Sequence, residues 1–307
     1  MIKIDNLVKA FGPKRAVDGI SFAVEKGEVL GFLGPNGAGK STTMRIVTGF
    51  MPPTSGSVTV GGFDVVASPL EAKRRIGYLP ENAASYPDMT VRAFLEFVAE
   101  LRGLDGKARR QAVGRVVELC FLQSVLEQSI DTLSKGYKHR TCLAQALIHD
   151  PQVLIMDEPT DGLDPNQKHE VRNLIRELGG SKAIIFSTHI LEEVDAACTR
   201  VIIIDRGRIV ANGTPEELRA MSELHGAVTL QARGATAERL ATLGRVEDLG
   251  GGAFRIYPRD KTRAGQLAQE VVDMVNVHGW KVEGMYSERG ELDEVFRRIT
   301  LPDTVKP

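Results

Sequence analysis

A glycine-rich run early in the chain, "GPNGAGKST" at residues 34–42, carries the residue types that hold a phosphate group. Its spacing is Gly-x-x-x-x-Gly-Lys-Ser, in which the glycines let backbone N–H groups turn inward around a phosphate. Lys40 would reach the β- and γ-phosphates of a nucleotide and act on the γ-phosphate during catalysis, and Ser41 would offer its hydroxyl to Mg²⁺. The candidate phosphate-binding residues are Gly34, Pro35, Asn36, Gly37, Ala38, Gly39, Lys40, Ser41 and Thr42.

The segments on both sides of this run give it the context that a phosphate loop needs. An apolar strand pattern, "EVLGFL", precedes it, and a helical pattern, "STTMRIVTGF", follows it. The helix would add its positive N-terminal end to the loop. The alternative is a glycine-rich turn that matches the spacing by chance, and the flanking patterns disfavour it. A phosphate loop by itself predicts only that a nucleotide is held.

A second run, "VLIMDEP", places Asp157 and Glu158 directly after the apolar residues 153–156. A buried strand that ends in acids delivers them to the carboxyl edge of a sheet, where the ligands of α/β proteins bind. Asp157 would hold Mg²⁺ through its water shell, and Glu158 would orient and deprotonate an attacking water. An acid pair after a strand is more often a helix cap or a solvated turn, but the upstream phosphate loop favours the catalytic interpretation.

The elements that must position these residues are predicted by the hydrophobic pattern. Over residues 1–222, short apolar runs rich in Val and Ile alternate with amphipathic helical patterns, which predicts an α/β domain with a largely parallel sheet. Strand signals are absent from about residue 87, and residues 87–150 are predicted to form a helical insertion. Its first helix would begin at a cap, Asp88 or Thr90, and would bury a stripe at helical spacing. That stripe consists of Val91, Phe94, Leu95, Val98 and Leu101.

Residues 227–303 have a different pattern and predict a small second domain of α+β class. The expected order is strand "AVTLQA", helix "TAERLATL", strand "RVEDL", strand "AFRIY", a helix over residues 260–277, strand "KVEGMY" and helix "ELDEVFRRIT". The order βαββαβ is typical of a ferredoxin-like split-βαβ sandwich, here with one extra helix.

The overall composition limits the possible partners and compartments. The chain has 39 basic and 40 acidic residues, so charge gives no reason to expect binding to nucleic acid. Its three cysteines form no CxxC pair, which disfavours a metal knuckle or a disulfide framework and fits a reducing cytoplasm. The apolar runs are far shorter than the roughly 20 residues that span a bilayer. We expect a cytoplasmic protein.

The four runs "GPNGAGKST", "LSKGYKHR", "VLIMDEPTDGLDP" and "IIFSTH", in this order, resemble the nucleotide-binding subunit of ABC transporters over roughly residues 1–222. The resemblance implies a P-loop NTPase fold and implies ATP and Mg²⁺ as ligands. It also implies that Phe11 stacks on adenine, with Val17 beside the base. Asp164 matches a loop that links two active sites across a dimer, and His189 matches a catalytic histidine that contacts the γ-phosphate and the attacking water.

Two motifs depart from the pattern of this family. The run "LSKGY" stands where LSGGQ is usual, with Lys135 and Tyr137 as the changed positions. The resemblance implies that Ser134 and Gly136, which are kept, contact the γ-phosphate of the other subunit's ATP. Glu81 stands where the family has a glutamine that coordinates Mg²⁺. A carboxylate can supply that oxygen, so we expect Glu81 to be a metal ligand, with Lys135 partly offsetting its charge.

The runs "LPEN" and "LSKGY" resemble the ATPases of ABC type-2 exporters, especially the gliding-motility-associated group, and "DEVF" resembles the end of their C-terminal domain. This resemblance implies a head-to-tail dimer, with a second copy or a paralogous ATPase, that drives a separate type-2 permease. The subunit would then lie on the inner face of the cell membrane through that permease.

Three other functions remain open on the sequence. A soluble ABC translation factor usually carries two such cassettes in one chain. A DNA-repair or chromosome-organising ATPase needs a long coiled coil between the P-loop and the signature run, and no sustained heptads occur there. A regulatory subunit that binds ATP without turnover would fit the changed signature, but Glu158 and His189 argue against it.

Overall fold

The computed structural model describes residues 1–82, 85–260 and 264–300. The chain divides into two compact units, Met1–Thr214 and Pro215–Pro307. The strands of the first unit are β1 (Ile2–Phe11), β2 (Lys14–Val24), β3 (Val29–Leu33), β4 (Ser55–Val60), β5 (Phe63–Asp64), β6 (Ile76–Leu79), β7 (Val153–Asp157), β8 (Ala183–Thr188), β9 (Arg200–Asp205) and β10 (Arg208–Gly213). Its helices are α1 (Lys40–Val47), α2 (Pro69–Arg75), α3 (Val91–Leu101), α4 (Gly106–Leu119), α5 (Lys135–Leu147), α6 (Pro165–Gly179) and α7 (Leu191–Ala197).

The larger sheet of the first unit carries the predicted site residues along one edge. Its strands lie in the order β10-β9-β3-β8-β7-β6, and they pair in parallel except for β9 with β10. Every residue of β3, β7 and β8 is buried, as is expected of parallel strands that are covered on both faces. Since the carboxyl ends of parallel strands meet at one edge, the residues that follow these three strands lie together.

A smaller antiparallel sheet, in the order β2-β1-β4-β5, packs on the same core as β3 and α1. Burial alternates along the end of β2, where Ile20, Phe22 and Val24 are buried and the residues between them are exposed. This period of two is the pattern of a strand with one face on the core. The turn between β1 and β2 pairs Phe11 with Lys14.

The helical insertion was predicted for residues 87–150, and the structure forms α3, α4 and α5 there. Thr90, one of the two predicted caps, accepts a hydrogen bond from the backbone N–H of Ala93 at 3.1 Å. The predicted stripe of α3 is buried except for Leu101, which is 69% exposed. The inclusion of Leu101 in the stripe was therefore wrong, because this residue ends the helix and lies beyond the packed face.

The second unit contains a four-stranded antiparallel sheet in the order β12-β13-β11-β14. Its elements are α8 (Pro215–Ala220), β11 (Val228–Arg233), α9 (Ala237–Leu240), β12 (Gly244–Gly250), β13 (Ala253–Pro258), α10 (Ala264–His278), β14 (Lys281–Ser287) and α11 (Leu292–Thr300). They follow the predicted order of strands and helices. The first residues of the helix predicted at 260–277 include 261–263, which lie outside the described residues, as do residues 301–303 of the predicted domain.

The division after Thr214 lies earlier than the domain end that was predicted at 222. Helix α8 packs on α11. Glu294 of α11 accepts hydrogen bonds from the hydroxyl of Ser222 and from the backbone N–H of Glu223. These contacts attach residues 215–223 to the last helix, and the structure therefore groups them with the second unit. Among the described residues, no helix is both long and apolar enough to cross a membrane.

Candidate active site

The glycine-rich run joins β3 to α1 as a tight loop that leaves no room for a side chain at Gly34 or Gly39. Gly39 has a φ of 112°, a conformation that side chains rarely adopt, and a Cβ there would lie 2.4 Å from the carbonyl oxygen of Ala16. A Cβ at Gly34 would lie 2.4 Å from the carbonyl oxygen of Ile204. The loop is thus packed against two neighbouring backbones, which fixes the direction of its N–H groups at the start of α1.

Lys40 is buried and lies within this loop. Its Nζ donates hydrogen bonds to the backbone carbonyls of residues 34 and 35, at 2.7 and 3.3 Å. Burial lowers the pKa of the Lys40 ammonium, and the carboxylates of Glu158, Asp157 and Glu81 oppose that shift. The ammonium is therefore held by the loop at the point where a phosphate would enter, with acids on the other side.

Hydroxyl groups surround the buried carboxylate of Asp157. Ser41 donates to its Oδ1 at 3.2 Å, and Ser187 donates to the same oxygen. Ser187 also accepts a hydrogen bond from the backbone N–H of Glu158 at 3.0 Å. Hydroxyl and carboxylate oxygens are the donors that Mg²⁺ prefers, and it is usually bound through one or two carboxylates together with substrate phosphates. The hydroxyl of Ser41 and the carboxylate of Asp157 therefore have the chemistry that fits a magnesium ion, and Glu81 lines the same cavity as Ser41.

Glu158 lies between a cation and an imidazole. Its Oε1 is 4.0 Å from Lys40 Nζ, and its Oε2 is 2.7 Å from His189 Nδ1. Glu158 has a φ of 53°, in the left-handed region that non-glycine residues rarely occupy. Such strained positions are frequent at active sites, where the surrounding contacts hold the backbone. The carboxylate has little exposure, whereas the ring of His189 is half exposed, so a water molecule can reach this pair from the solvent side.

Lys40, Ser41 and Glu158 border a cavity of about 440 Å³, whereas Asp157 and His189 contact these residues from outside its lining. Its lining consists of Phe11, Lys14, Ala16, Asn36, Gly37, Gly39, Lys40, Ser41, Thr42, Glu81 and Glu158. Phe11 is about half exposed at this cavity, as suits a ring that stacks on a planar base. Val17 does not line it: its side chain is fully buried in the core, and Ala16 faces the cavity instead. The side chain of Val17 therefore does not face the cavity, and its place beside the base stays a prediction.

Ser134, Gly136 and Asp164 form a second group that does not line the cavity. Ser134 caps α5 by accepting from the N–H of Tyr137 at 3.4 Å, and Asp164 caps α6 by accepting from the N–H of Gln167 at 2.9 Å. A Cβ at Gly136 would lie 2.4 Å from the side chain of Gln167, so the two helix starts adjoin each other. Ser134, Gly136 and Asp164 thus form a group that is separate from the residues that line the cavity, while Gly34, Pro35, Ala38, Asp157 and His189 adjoin the lining without belonging to it.

A hydroxyl network that the sequence did not predict lies behind Glu158 and His189. Thr188, at the end of β8, donates to the buried Glu193 at 2.7 Å. Thr160, two residues after Glu158, donates to the other oxygen of Glu193. This network ties the segment after β7 to the segment that carries His189. The sequence did contain a signal for this network, because the two threonines lie next to the acids in "DEPT" and next to the histidine in "STH".

The fold and the site define a P-loop ATPase: a buried parallel sheet presents a phosphate loop, an acid pair and a histidine at one edge. Residues 17–161 match the family model described as ABC transporter. The linearmycin resistance ATP-binding protein LnrL of Bacillus subtilis is 40% identical over 75% of this chain and 74% of its own. The Nod factor export ATP-binding protein I of Paraburkholderia xenovorans is 34% identical over 97% of this chain and 96% of its own. The chain belongs to the family of ABC transporter ATP-binding proteins.

A solved structure agrees with this assignment. An ATP-binding subunit of an ABC transporter superposes with a TM-score of 0.68 at 28% identity, over 79% of this chain and 98% of the other. The first unit therefore has the nucleotide-binding domain fold of ABC ATPases.

Proposed function

We propose that this ATPase works as a head-to-tail dimer, with a second copy or a paralogous ATPase, and powers a separate ABC type-2 permease as an exporter. The division of the predicted ATP contacts into two groups carries this proposal. Phe11, most of the P-loop residues and Glu158 line one cavity, whereas the group of Ser134, Gly136 and Asp164 lies outside it. A partner subunit would complete each site with its own second group. The relatives named for linearmycin resistance and Nod factor export support an exporter.

Hydrolysis would use residues that border the cavity, together with Asp157 and His189, which contact them. The ring of Phe11 would stack on adenine, and the P-loop N–H groups with Lys40 would hold the phosphates. Glu158 would orient the attacking water and accept its proton, and His189, 2.7 Å away, would contact the γ-phosphate and hold the carboxylate in place. Ser41, Glu81 and Asp157 would hold Mg²⁺, which, when bound, neutralises charge that develops on the phosphates.

The membrane partner and the second unit are further parts of the proposal. We infer that the permease docks near Glu81 and the helical insertion, so that the ATPase lies peripherally on the cytoplasmic face of the membrane. The antiparallel sheet order β12-β13-β11-β14 supports a ferredoxin-like fold for the second unit. Membership of the gliding-motility-associated group stays a prediction.

ATP hydrolysis by two variants, and the recovery of a membrane partner with the tagged chain, test this function. Glu158→Gln should reduce ATP hydrolysis by about 100-fold or more, since a general base contributes about that factor, while ATP binding is retained. Glu238→Gln, which changes an exposed acid of the second unit, is the matched control and should hydrolyse ATP like the unchanged chain.

The tagged chain, isolated from solubilised membranes, should carry with it an integral membrane protein of the type-2 pattern. Full hydrolysis by Glu158→Gln, or recovery without any membrane protein, would contradict the proposal.

A further inference from the structure

An ion pair joins the first residue of α5 to the segment that follows β7. Lys135 Nζ donates to Asp161 Oδ2 at 3.1 Å. This hydrogen bond is the main reason that the pKa of Asp161 lies below its usual value. The stem of Lys135 lies across Gly162, where a Cβ would stand 2.0 Å from Nζ. Lys135 is therefore folded along the surface of its own subunit and is held there by a carboxylate.

The pair is weak enough to be exchanged. The side chains of Lys135 and Asp161 are 66% and 55% exposed. Ion pairs between side chains this exposed contribute little to stability, because water screens them. A triphosphate carries more negative charge than one carboxylate, and closure of the dimer around it would exclude water, so it would attract Lys135 more strongly than the solvated Asp161 does. After release, Lys168 remains near Asp161 to balance its charge.

Neighbouring contacts hold the backbone while the lysine side chain stays free to move. Arg140 of α5 pairs with Glu170 of α6, and Gly136 lies directly against Gln167 of α6. The starts of the two helices are therefore fixed relative to each other. Transfer of the Lys135 ammonium to another anion needs only rotation of its own side chain.

The charged side chains that line the cavity balance one another before ATP binds, so the charge of a bound ATP calls for a further cation. The titratable side chains that line it are Lys14, Lys40, Glu81 and Glu158, so its two ammonium groups are already matched by two carboxylates. An incoming ATP adds negative charge that this lining does not balance. A cation delivered from outside the cavity would balance part of it, and Lys135 lies between Ser134 and Gly136, the residues proposed to meet the other subunit's ATP.

We propose that Lys135 is a phosphate ligand for the ATP bound by the other subunit, and that Asp161 holds it in the separate subunit and releases it as the dimer closes. This inference rests on the head-to-tail dimer proposed above. It assigns the changed third position of the signature run to ATP binding in trans.

Dimerisation driven by ATP tests this role. The full chain carrying Glu158→Gln is titrated with MgATP, and the dimer fraction is followed by sedimentation velocity. Adding Lys135→Met should raise the ATP concentration at half-dimerisation about tenfold, since a charge-assisted phosphate contact is lost. Adding Asp161→Asn should lower it by about twofold to fivefold, since Lys135 no longer has to leave a carboxylate. Lys138→Met is the matched control on the same helix, because Lys138 donates to the backbone carbonyl of Asp131.

The opposite signs of the two effects make the result decisive. If Lys135→Met and Asp161→Asn both raise the midpoint equally, Lys135 acts only by holding Asp161, and the inference is wrong. It is also wrong if Lys135→Met changes the midpoint no more than Lys138→Met does. If the Glu158→Gln background binds ATP as a separate subunit but does not dimerise, the head-to-tail dimer itself is contradicted.

Discussion

Among single residues, Ser187 shows how a side chain with no recognised motif role completes the site. It donates to Asp157, accepts from the N–H of Glu158, and so links the two acids to the neighbouring strand. The acids were predicted from their position after a strand. Ser187 was not, because its role follows from the register in which β8 pairs with β7, where it stands opposite Asp157. That register depends on the packing of the whole sheet.

His139 predicts a dependence of stability on pH. It is buried in α5, its ring nitrogens have no hydrogen-bond partner among the described residues, and burial lowers its pKa to about 4 from 6.5. Asp161 partly opposes this shift and Lys135 adds to it. Because the folded-state pKa is depressed, the unfolded chain binds the proton first. The stability contributed by neutral His139 is complete above pH 6.5 and is lost as the pH falls towards 4.

The measurement is urea unfolding at pH 7 and pH 5, followed by far-ultraviolet circular dichroism. His139→Gln should reduce the loss of unfolding free energy between these two pH values by about 2 kcal/mol, since glutamine does not titrate. The exposed His169→Gln, on α6, is the control and should leave that loss unchanged. An unchanged pH dependence in His139→Gln would show that the buried ring does not bind a proton on unfolding.

At the scale of elements, the sequence predicted the type and approximate bounds of each helix and strand better than it predicted which elements pack against each other. The amphipathic stripe and the cap placed α3 correctly because a helix closes its hydrogen bonds within its own segment. The order of the strands in the larger sheet could not be read from the pattern, because strands that are adjacent in space are distant in sequence. The same holds for α8, whose contact with α11 set the boundary of the second unit.

A pair of glycine substitutions tests the loop that begins α1. Gly39→Ala should abolish measurable ATP binding, because its positive φ and the nearby carbonyl of Ala16 leave no room for a Cβ. Gly114→Ala, in the exposed interior of α4, meets nothing within 4 Å and should raise the free energy of unfolding by about 0.5–1 kcal/mol. Isothermal titration with ATP and urea unfolding measure the two effects. Normal ATP binding by Gly39→Ala would contradict the required backbone conformation.

For the whole molecule, the division into two units predicts that ATP binding belongs to the first alone. All residues that line the cavity lie within Met1–Thr214. A chain that ends at Thr214 should therefore bind MgATP with an affinity within about threefold of the full chain, or about 0.6 kcal/mol. Titration calorimetry measures this, with circular dichroism to check folding. A folded truncated chain that fails to bind ATP would show that the second unit is needed for the site.

The sequence by itself determined the chemistry: a phosphate loop, an acid pair after a strand and a histidine after another, in an order shared with ABC ATPases. These are local patterns, in which a few neighbouring residues fix both the residue type and the element that carries it. The tertiary structure decided which side chains meet. It buried Val17 away from the cavity, set Ser187 against both acids, and placed Lys135 on Asp161. Such contacts join residues that are distant in the chain, and only the packing of the folded sheet and helices brings them within bonding distance.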